Sequence, residues 1–142
     1  TDVYVDMRPL NVVAGRSRPL VMVVDDDRAI RDLERQLVTS NGYDCTTLAS
    51  ANEAREWMAN NPPPEAIVLD LLMPGLDGMS FLRELRARGY KGPVVVCSSV
   101  SSAILRTEAE DLPGVMCIEK ATELHRIPEM LRTGGVTARP PA

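Results

Sequence analysis

The chain has 142 residues, a formal net charge of −4 and a pI near 5.0, which suits one globular domain with a sizeable core. The acidic balance and the lack of a basic face argue against a nucleic-acid surface, and the short apolar runs argue against a spanning helix or a signal peptide. Its three cysteines lack the CxxC spacing of a metal site and suit reduced thiols, so we expect a cytoplasmic protein. The short apolar runs predict that it makes no membrane contact.

Strands alternate with helices along the first half of the chain. A continuous apolar run bounded by charge is typical of a strand buried on both faces of a parallel sheet. The next segment carries an apolar stripe at Ile30, Leu33 and Leu37, and Ser50 and Glu53 stand in capping-box register at the start of a second helix. The predicted elements are the strand PLVMVVD (19–25), the helix RAIRDLERQLVTSN (28–41), the strand YDCTTLA (43–49) and the helix SANEAREWMANN (50–61).

The second half of the chain repeats this alternation. Pro128 lies inside its last segment, ATELHRIPEMLR, and a proline is tolerated in the first turn of a helix but not in its interior. A fifth helix is therefore expected to be short, starting near Ile127, or kinked. The other predicted elements are the strand EAIVLD (65–70), the helix GMSFLRELRARG (78–89), the strand GPVVVCS (92–98), the helix SSAILRTEAED (101–111) and the strand GVMCIEK (114–120).

Five strand-then-helix units with short connections predict an α/β fold, a doubly wound five-stranded parallel sheet with helices on both faces. We assign this domain to residues 19–133. Residues 1–18 show no sustained hydrophobic period and are interpreted as an N-terminal extension or linker. Residues 134–142, GGVTARPPA, are rich in glycine and proline, and we expect them to be a disordered tail.

Polar side chains follow four of the five predicted strands at the point where each strand ends. In an open parallel sheet, ligands bind at the carboxyl ends of the strands, so these side chains should meet at one edge. A carboxylate at the end of a buried run also needs a partner, because its desolvation is costly. The residues are Asp25, Asp26 and Asp27 after the first strand, Asp70 after the third, Ser98 after the fourth and Lys120 after the fifth.

This constellation resembles the CheY-like receiver domain of two-component response regulators. The resemblance covers roughly residues 19–133 and runs through VMVVDDD, VLDLLMPGLDG, VVVCSS and IEK in that order. It implies a flavodoxin-like strand order, 2-1-3-4-5. It also implies a phospho-accepting domain whose partners are a histidine kinase or phosphotransfer protein and a downstream protein. Such a domain is not a turnover enzyme on an external substrate, and no nucleic-acid contact is expected.

The resemblance also implies a role for each clustered residue. Asp70 would be the phosphoacceptor, assisted by Lys120 and Ser98. Clustered carboxylates repel one another by about 4 kcal/mol for a pair at ~4 Å and an effective dielectric of 20, and a hard divalent cation relieves that repulsion. The family pattern assigns Mg²⁺ or Mn²⁺ to a site made by Asp26 and Asp70 directly, Asp25 through water, and the main-chain carbonyl of Leu72.

Two alternatives remain open at this point. One is a pseudo-receiver interaction domain that keeps the fold without phosphorylation. The other is a haloacid-dehalogenase phosphatase, which Asp25-x-Asp27 resembles. That family, however, has a threonine or valine soon after the second aspartate, where Arg28 and Ala29 stand here. Asp27 is also expected to cap the first helix.

The sequence departs from the receiver pattern near the fifth strand. Ala121 follows Lys120 where proline is usual, so the peptide bond before it is expected to be trans. Cys117 takes the place of the usual aromatic switch residue. Leu72 and Val100, which flank the approach of hydrolytic water in the family, are both apolar, and this predicts a long-lived phospho-form.

Overall fold

Five parallel strands and five α-helices alternate along the part of the chain that the computed structural model describes, residues 18–71, 78–99 and 103–139. The strands are β1 (Leu20–Val24), β2 (Asp44–Leu48), β3 (Ala66–Asp70), β4 (Val94–Ser98) and β5 (Val115–Glu119). The helices are α1 (Arg28–Thr39), α2 (Ala51–Asn60), α3 (Gly78–Ala87), α4 (Ala103–Glu110) and α5 (Ile127–Thr133), with a 3₁₀ turn at Leu124–Arg126.

The strands form one sheet in the order β2-β1-β3-β4-β5, with every neighbouring pair parallel. The predicted fold class and strand order are therefore confirmed. Because successive side chains of a strand point to opposite faces, β1 supplies Met22 and Val24 to one core and Val21 and Val23 to the other. The first core packs against α2, α3 and α4, and the second against α1 and α5. The sheet is thus covered on both faces, as its continuous apolar strands require.

Two helix starts are made by side-chain caps that the sequence predicts. Asp27 accepts hydrogen bonds from the backbone N–H groups of Ala29 and Ile30, at 2.9 and 3.2 Å, which confirms its capping role. The hydroxyl of Ser50 accepts from the backbone N–H of Glu53 at 3.1 Å. These bonds satisfy donors that have no partner within the helix.

The fifth helix begins at Ile127 and holds Pro128 in its first turn. The proline is tolerated there because its missing N–H would have no partner within the helix. The expectation of a short helix starting near Ile127 is confirmed. The Lys120–Ala121 peptide bond is trans, since no cis bond occurs in the described ranges.

Part of the segment expected to be a disordered tail packs against the turn between α1 and β2. The Tyr43 hydroxyl donates to the carbonyl of Val136 at 2.8 Å, and Val136 itself is buried. The N–H of Arg139 donates to the carbonyl of Gly42 at 3.1 Å. Gly42 has a φ of +94°, and a Cβ there would lie 2.8 Å from the carbonyl oxygen of Arg139, so this close approach requires glycine.

These contacts differ from the expectation of disorder for residues 136–139, whose buried valine and backbone hydrogen bonds offset the entropy of ordering. Residues 1–17 and 140–142 lie outside the described ranges, and the domain boundaries stay a prediction. Across the described residues, none of the helices combines the length and the apolar character needed to cross a bilayer.

Candidate functional site

Three aspartates converge at the carboxyl edge of the central strands. The β1–β3 register pairs Val24 with Leu69, so Asp25 and Asp70 come next on adjacent strands. Asp25 and Asp70 are buried, whereas Asp26 is exposed at the rim. One carboxylate oxygen from each lies within 4.8 Å of the others. The structure therefore brings together the three aspartates that the family resemblance assigns to the metal site.

Lys120 extends from the end of β5 to both buried aspartates. Its Nζ lies 2.8 Å from Oδ2 of Asp25 and 3.1 Å from Oδ2 of Asp70. Burial lowers the pKa of Lys120, but the contact with Asp25 and the charge of Asp70 outweigh burial, so the pKa is raised overall. The backbone N–H of Lys120 also donates to the carbonyl of Ser98 at 2.8 Å, which ties the ends of β4 and β5 together.

Ser98 is the last residue of β4 and lies beside the same cluster. The β3–β4 register pairs Asp70 with Cys97, so Ser98 is one residue beyond Asp70 along the edge. Its side chain is buried, and within the described part of the chain its Oγ has no hydrogen-bond partner. A buried hydroxyl without a protein partner is costly, so Oγ of Ser98 is available to an oxygen of water or of a ligand.

The main chain around Asp25 is held by several hydrogen bonds. The Asp25 N–H donates to the carbonyl of Leu48 at 3.1 Å, and Oδ1 of Asp25 accepts from the N–H of Asp27 at 2.8 Å. The guanidinium of Arg31 donates to the carbonyl of Asp25 at 2.9 Å. Sequence reasoning missed Arg31, although its place one turn into α1 puts it within reach of the strand end.

The donor set fits a hard divalent cation. Three carboxylates and the single ammonium of Lys120 leave a net charge of −2, which one such ion neutralises. Oxygen donors are the ligands that Mg²⁺ and Mn²⁺ prefer. Leu72, whose main-chain carbonyl is the other predicted ligand, lies outside the described residues.

The family of response regulator receiver domains matches residues 21–132. The chain belongs to this family. Phosphorylation on an aspartate is typical of receiver domains, which act in two-component systems. The family match therefore favours a receiver domain over the haloacid-dehalogenase phosphatase family, whose motif the Asp25-x-Asp27 spacing resembles.

Curated relatives agree with the assignment. The response regulator MprA of Mycobacterium sp. (strain KMS) is 40% identical over 91 residues, which cover 64% of this chain and 39% of that protein. MprA of Mycobacterium leprae (strain TN) is 38% identical over 118 residues, covering 79% of this chain and 50% of that protein. The chain thus spans half or less of the length of these relatives.

Solved structures show the same fold. The receiver domain of the Francisella response regulator 1452 has a TM-score of 0.72 and 28% identity, with 82% of this chain and 95% of that chain covered. The receiver domain of NtrX from Brucella abortus has a TM-score of 0.70 and 27% identity, with 80% and 98% covered.

One buried residue of this receiver domain was missed by sequence reasoning. The side chain of Glu34 is as buried as that of Val38, the apolar core residue of α1. Its carboxyl oxygen Oε2 accepts a hydrogen bond from the Cys97 thiol at 3.6 Å. The predicted stripe of α1 included Leu33, which is 45% exposed, whereas the inner face holds Glu34 and Val38. Glu34 and Val38 are four residues apart, which places them on the same face of a helix, and this spacing could have indicated that Glu34 is buried. A glutamate is, however, normally assigned to the solvent-facing side of a helix.

The position of the usual aromatic switch is tied to α4 in this receiver domain. Cys117 is half-buried, and its carbonyl accepts from the guanidinium of Arg106 at 3.2 Å. The thiol of Cys117 in turn contacts the carbonyl of Arg106 at 3.9 Å. Burial raises the pKa of Cys117 to about 11, so the thiol stays neutral. Val100 lies outside the described residues.

Proposed function

We propose that this receiver domain accepts a phosphoryl group on Asp70 from a histidine kinase or a phosphotransfer protein in the cytoplasm, and then binds a downstream protein with altered affinity. The supporting observation is the double contact of Lys120, whose ammonium reaches Asp25 and Asp70 together. We expect no turnover on an external substrate, because the acceptor is part of the chain itself.

The geometry favours Asp70 over its acidic neighbours as the nucleophile. Asp25 uses Oδ1 for the N–H of Asp27 and Oδ2 for Lys120, so both of its oxygens are engaged. Asp26 is exposed at the rim. Asp70 ends the central strand β3, with the acids of β1 on one side and β4 with Ser98 on the other. It is the carboxylate to which a cation, an ammonium and a hydroxyl can all be adjacent.

The transfer requires little chemistry from the protein beyond positioning and charge neutralisation. A carboxylate oxygen of Asp70 forms a bond to phosphorus, and the phosphorus–nitrogen bond of the donor phosphohistidine breaks, leaving its electron pair on the imidazole. Lys120 stabilises negative charge on the phosphoryl oxygens, and the hydroxyl of Ser98 donates a hydrogen bond to one of them.

The chain also offers the ligands for a divalent cation. Asp26 and Asp70 would hold Mg²⁺ or Mn²⁺ directly, Asp25 would do so through water, and the main-chain carbonyl of Leu72 would complete the protein's set. When bound, the ion supplies further neutralisation of the phosphoryl oxygens.

The test is labelling with a small phosphodonor, acetyl phosphate, followed by intact mass and peptide mapping. We expect wild type to gain one phosphoryl group only in the presence of Mg²⁺, and Asp70→Asn to gain none. Asp32→Asn is the matched control, since Asp32 is an exposed acid on α1, and it should label like wild type. Labelling of Asp70→Asn at the wild-type level would contradict the assignment. A folded wild type that binds Mg²⁺ but never labels would favour the pseudo-receiver alternative.

A further inference from the structure

A carboxyl group beneath the acidic cluster is not used by the proposed transfer. Glu34 is 1% exposed, and within the described residues its Oε1 has no hydrogen-bond partner. A buried ionised carboxylate in that position would be costly, whereas a neutral carboxylic acid needs much less solvation. The burial of Glu34 therefore indicates that the resting domain holds it protonated.

The other carboxyl oxygen of Glu34 connects α1 to the strand that carries Ser98. Cys97, fully buried in β4, donates its thiol to Oε2 of Glu34 at 3.6 Å. Cys97 pairs with Asp70 in the β3–β4 register and directly precedes Ser98. The contact thus fixes β4 at Cys97, which lies beside the proposed nucleophile Asp70 and directly before Ser98, whose hydroxyl is proposed to bind the phosphoryl group.

The charges that act on Glu34 come from the ends of β1, β3 and β5, where Asp25, Asp70 and Lys120 lie. Burial is the main cause that raises its pKa to about 8, the negative charge of Asp25 adds to the rise, and the Cys97 hydrogen bond opposes it. The charge of Lys120 also lowers the pKa of Glu34, and that of Asp70 raises it. Burial is the main cause that raises the pKa of Cys45 in β2, and the charge of Glu34 adds to that rise. The α5 side chains Glu129 and Arg132 are exposed.

We propose that Glu34 is a positioning residue for phosphoryl transfer, whose neutral carboxyl group accepts the Cys97 thiol and keeps the end of β4, with Ser98, aligned on Asp70. This inference rests on the proposed transfer to Asp70. Ionisation of Glu34 adds a further negative charge beneath the three aspartates and disfavours the arrival of an anionic phosphoryl donor.

Two substitutions separate the hydrogen bond from the charge. Glu34→Gln keeps the size and an acceptor oxygen for the Cys97 thiol but stays neutral at every pH. Glu34→Leu fills the same buried space with apolar atoms and removes the acceptor, and it is expected to fold because the site is already buried in the core of α1. Cys97→Ala removes the donor from the other side of the contact.

The measurement is the initial rate of labelling by acetyl phosphate in saturating Mg²⁺, from about pH 6 to about pH 9. We expect Glu34→Gln to match wild type at the acidic end. Wild type should then lose about tenfold in rate relative to Glu34→Gln toward the alkaline end, while the ratio of Glu34→Leu to Glu34→Gln stays constant. Glu34→Leu should be slower than Glu34→Gln throughout, and adding Cys97→Ala to it should cause no further loss, since both changes break one contact.

Three results would overturn the inference: a Glu34→Gln rate that falls with pH in parallel with wild type, a Glu34→Leu rate equal to that of Glu34→Gln, or additive losses in the double variant. A separate readout does not depend on transfer. Carbon-13 NMR of the Glu34 carboxyl in metal-free protein should show titration near pH 8 rather than near its ordinary value of 4.5. Titration at the ordinary value would sink this inference while leaving the proposed function intact. Failure of wild type to label would instead contradict the proposed function, and with it the positioning role of Glu34, whatever the NMR titration shows.

Discussion

The ammonium nitrogen of Lys120 lies 3.1 Å from a carboxylate oxygen of Asp70, although the two residues are 50 positions apart in the chain. The distance is short because β3 and β5 flank β4 and all three strands end at one edge of the sheet. The contact places one positive charge among three aspartates. In the metal-free domain, the ammonium of Lys120 is therefore the main group that offsets the electrostatic repulsion between their carboxylates.

Replacing Lys120 should therefore destabilise the domain in a way that Mg²⁺ reverses. Lys120→Met leaves the buried Asp25 and Asp70 carboxylates without their cation, and we expect a loss of about 2 kcal/mol in the free energy of unfolding. Because the site is then more negative, Mg²⁺ should bind the variant more tightly and stabilise it more than wild type.

Urea unfolding with and without Mg²⁺ measures both effects. Lys91→Met is the control, because Lys91 is an exposed lysine at the opposite end of β4. Equal Mg²⁺ stabilisation of wild type and Lys120→Met would show that Lys120 does not share the cation's site.

The buried carboxyl of Glu34 predicts a specific pH dependence of stability. Its pKa in the folded domain is raised to about 8 from the ordinary value of 4.5, so folding favours the protonated form. The associated stability is fully present below the unfolded pKa and is lost as pH rises through the folded pKa. Each unit of pKa difference corresponds to about 1.4 kcal/mol, so the loss should reach a few kcal/mol.

Glu34→Gln removes this titration. Its free energy of unfolding, relative to wild type, should increase steadily between about pH 5 and about pH 8. Urea titrations across that range measure the difference, with the exposed Glu56→Gln as a control that should remain parallel to wild type. A pH-independent difference between Glu34→Gln and wild type would mean that Glu34 is not protonated in the folded domain.

The phosphoryl group on Asp70 is expected to persist. Leu72 and Val100 are apolar, so neither side chain can orient the hydrolytic water by hydrogen bonding. We expect a lifetime on the order of minutes to hours, with each tenfold slowing equal to about 1.4 kcal/mol of barrier. The decay of the phosphorylated protein in Mg²⁺ buffer gives the lifetime. Leu72→Asn combined with Val100→Glu should accelerate decay, and loss within seconds in wild type would refute the prediction.

The contact between Arg106 and Cys117 should restrain α4 against β5. Arg106→Ala removes the guanidinium that donates to the Cys117 carbonyl, a hydrogen bond that contributes about 1 kcal/mol. Local opening of α4 should then be roughly fivefold more frequent. Hydrogen exchange of the α4 amides measures this, and Arg88→Ala, a change at an exposed arginine of the segment after α3, should leave α4 exchange unaltered. Unchanged exchange in Arg106→Ala would show that the contact does not hold the helix.

Local features of this receiver domain are predictable from the sequence. The Asp27 cap, the start of α5 beside Pro128 and the strand order implied by the family resemblance all agree with the structure. Caps and helix starts depend on a few adjacent residues, and a buried parallel strand is recognisable by its continuous apolar run. The convergence of Asp25 and Asp70 also follows from the sequence, because strand ends share one edge of a parallel sheet.

Other features were decided only by the tertiary structure. Glu34 is buried against Cys97, Arg106 donates to the carbonyl of Cys117, and Tyr43 donates to the carbonyl of Val136. Each pair joins residues that are distant in the sequence, and a periodic pattern of polar and apolar residues does not predict such contacts. A pattern of polar and apolar residues assigns glutamate to the surface by its type alone. Whether the carboxyl group is charged depends on the desolvation and the neighbouring charges that the folded chain places around it, and those are properties of packing between distant elements.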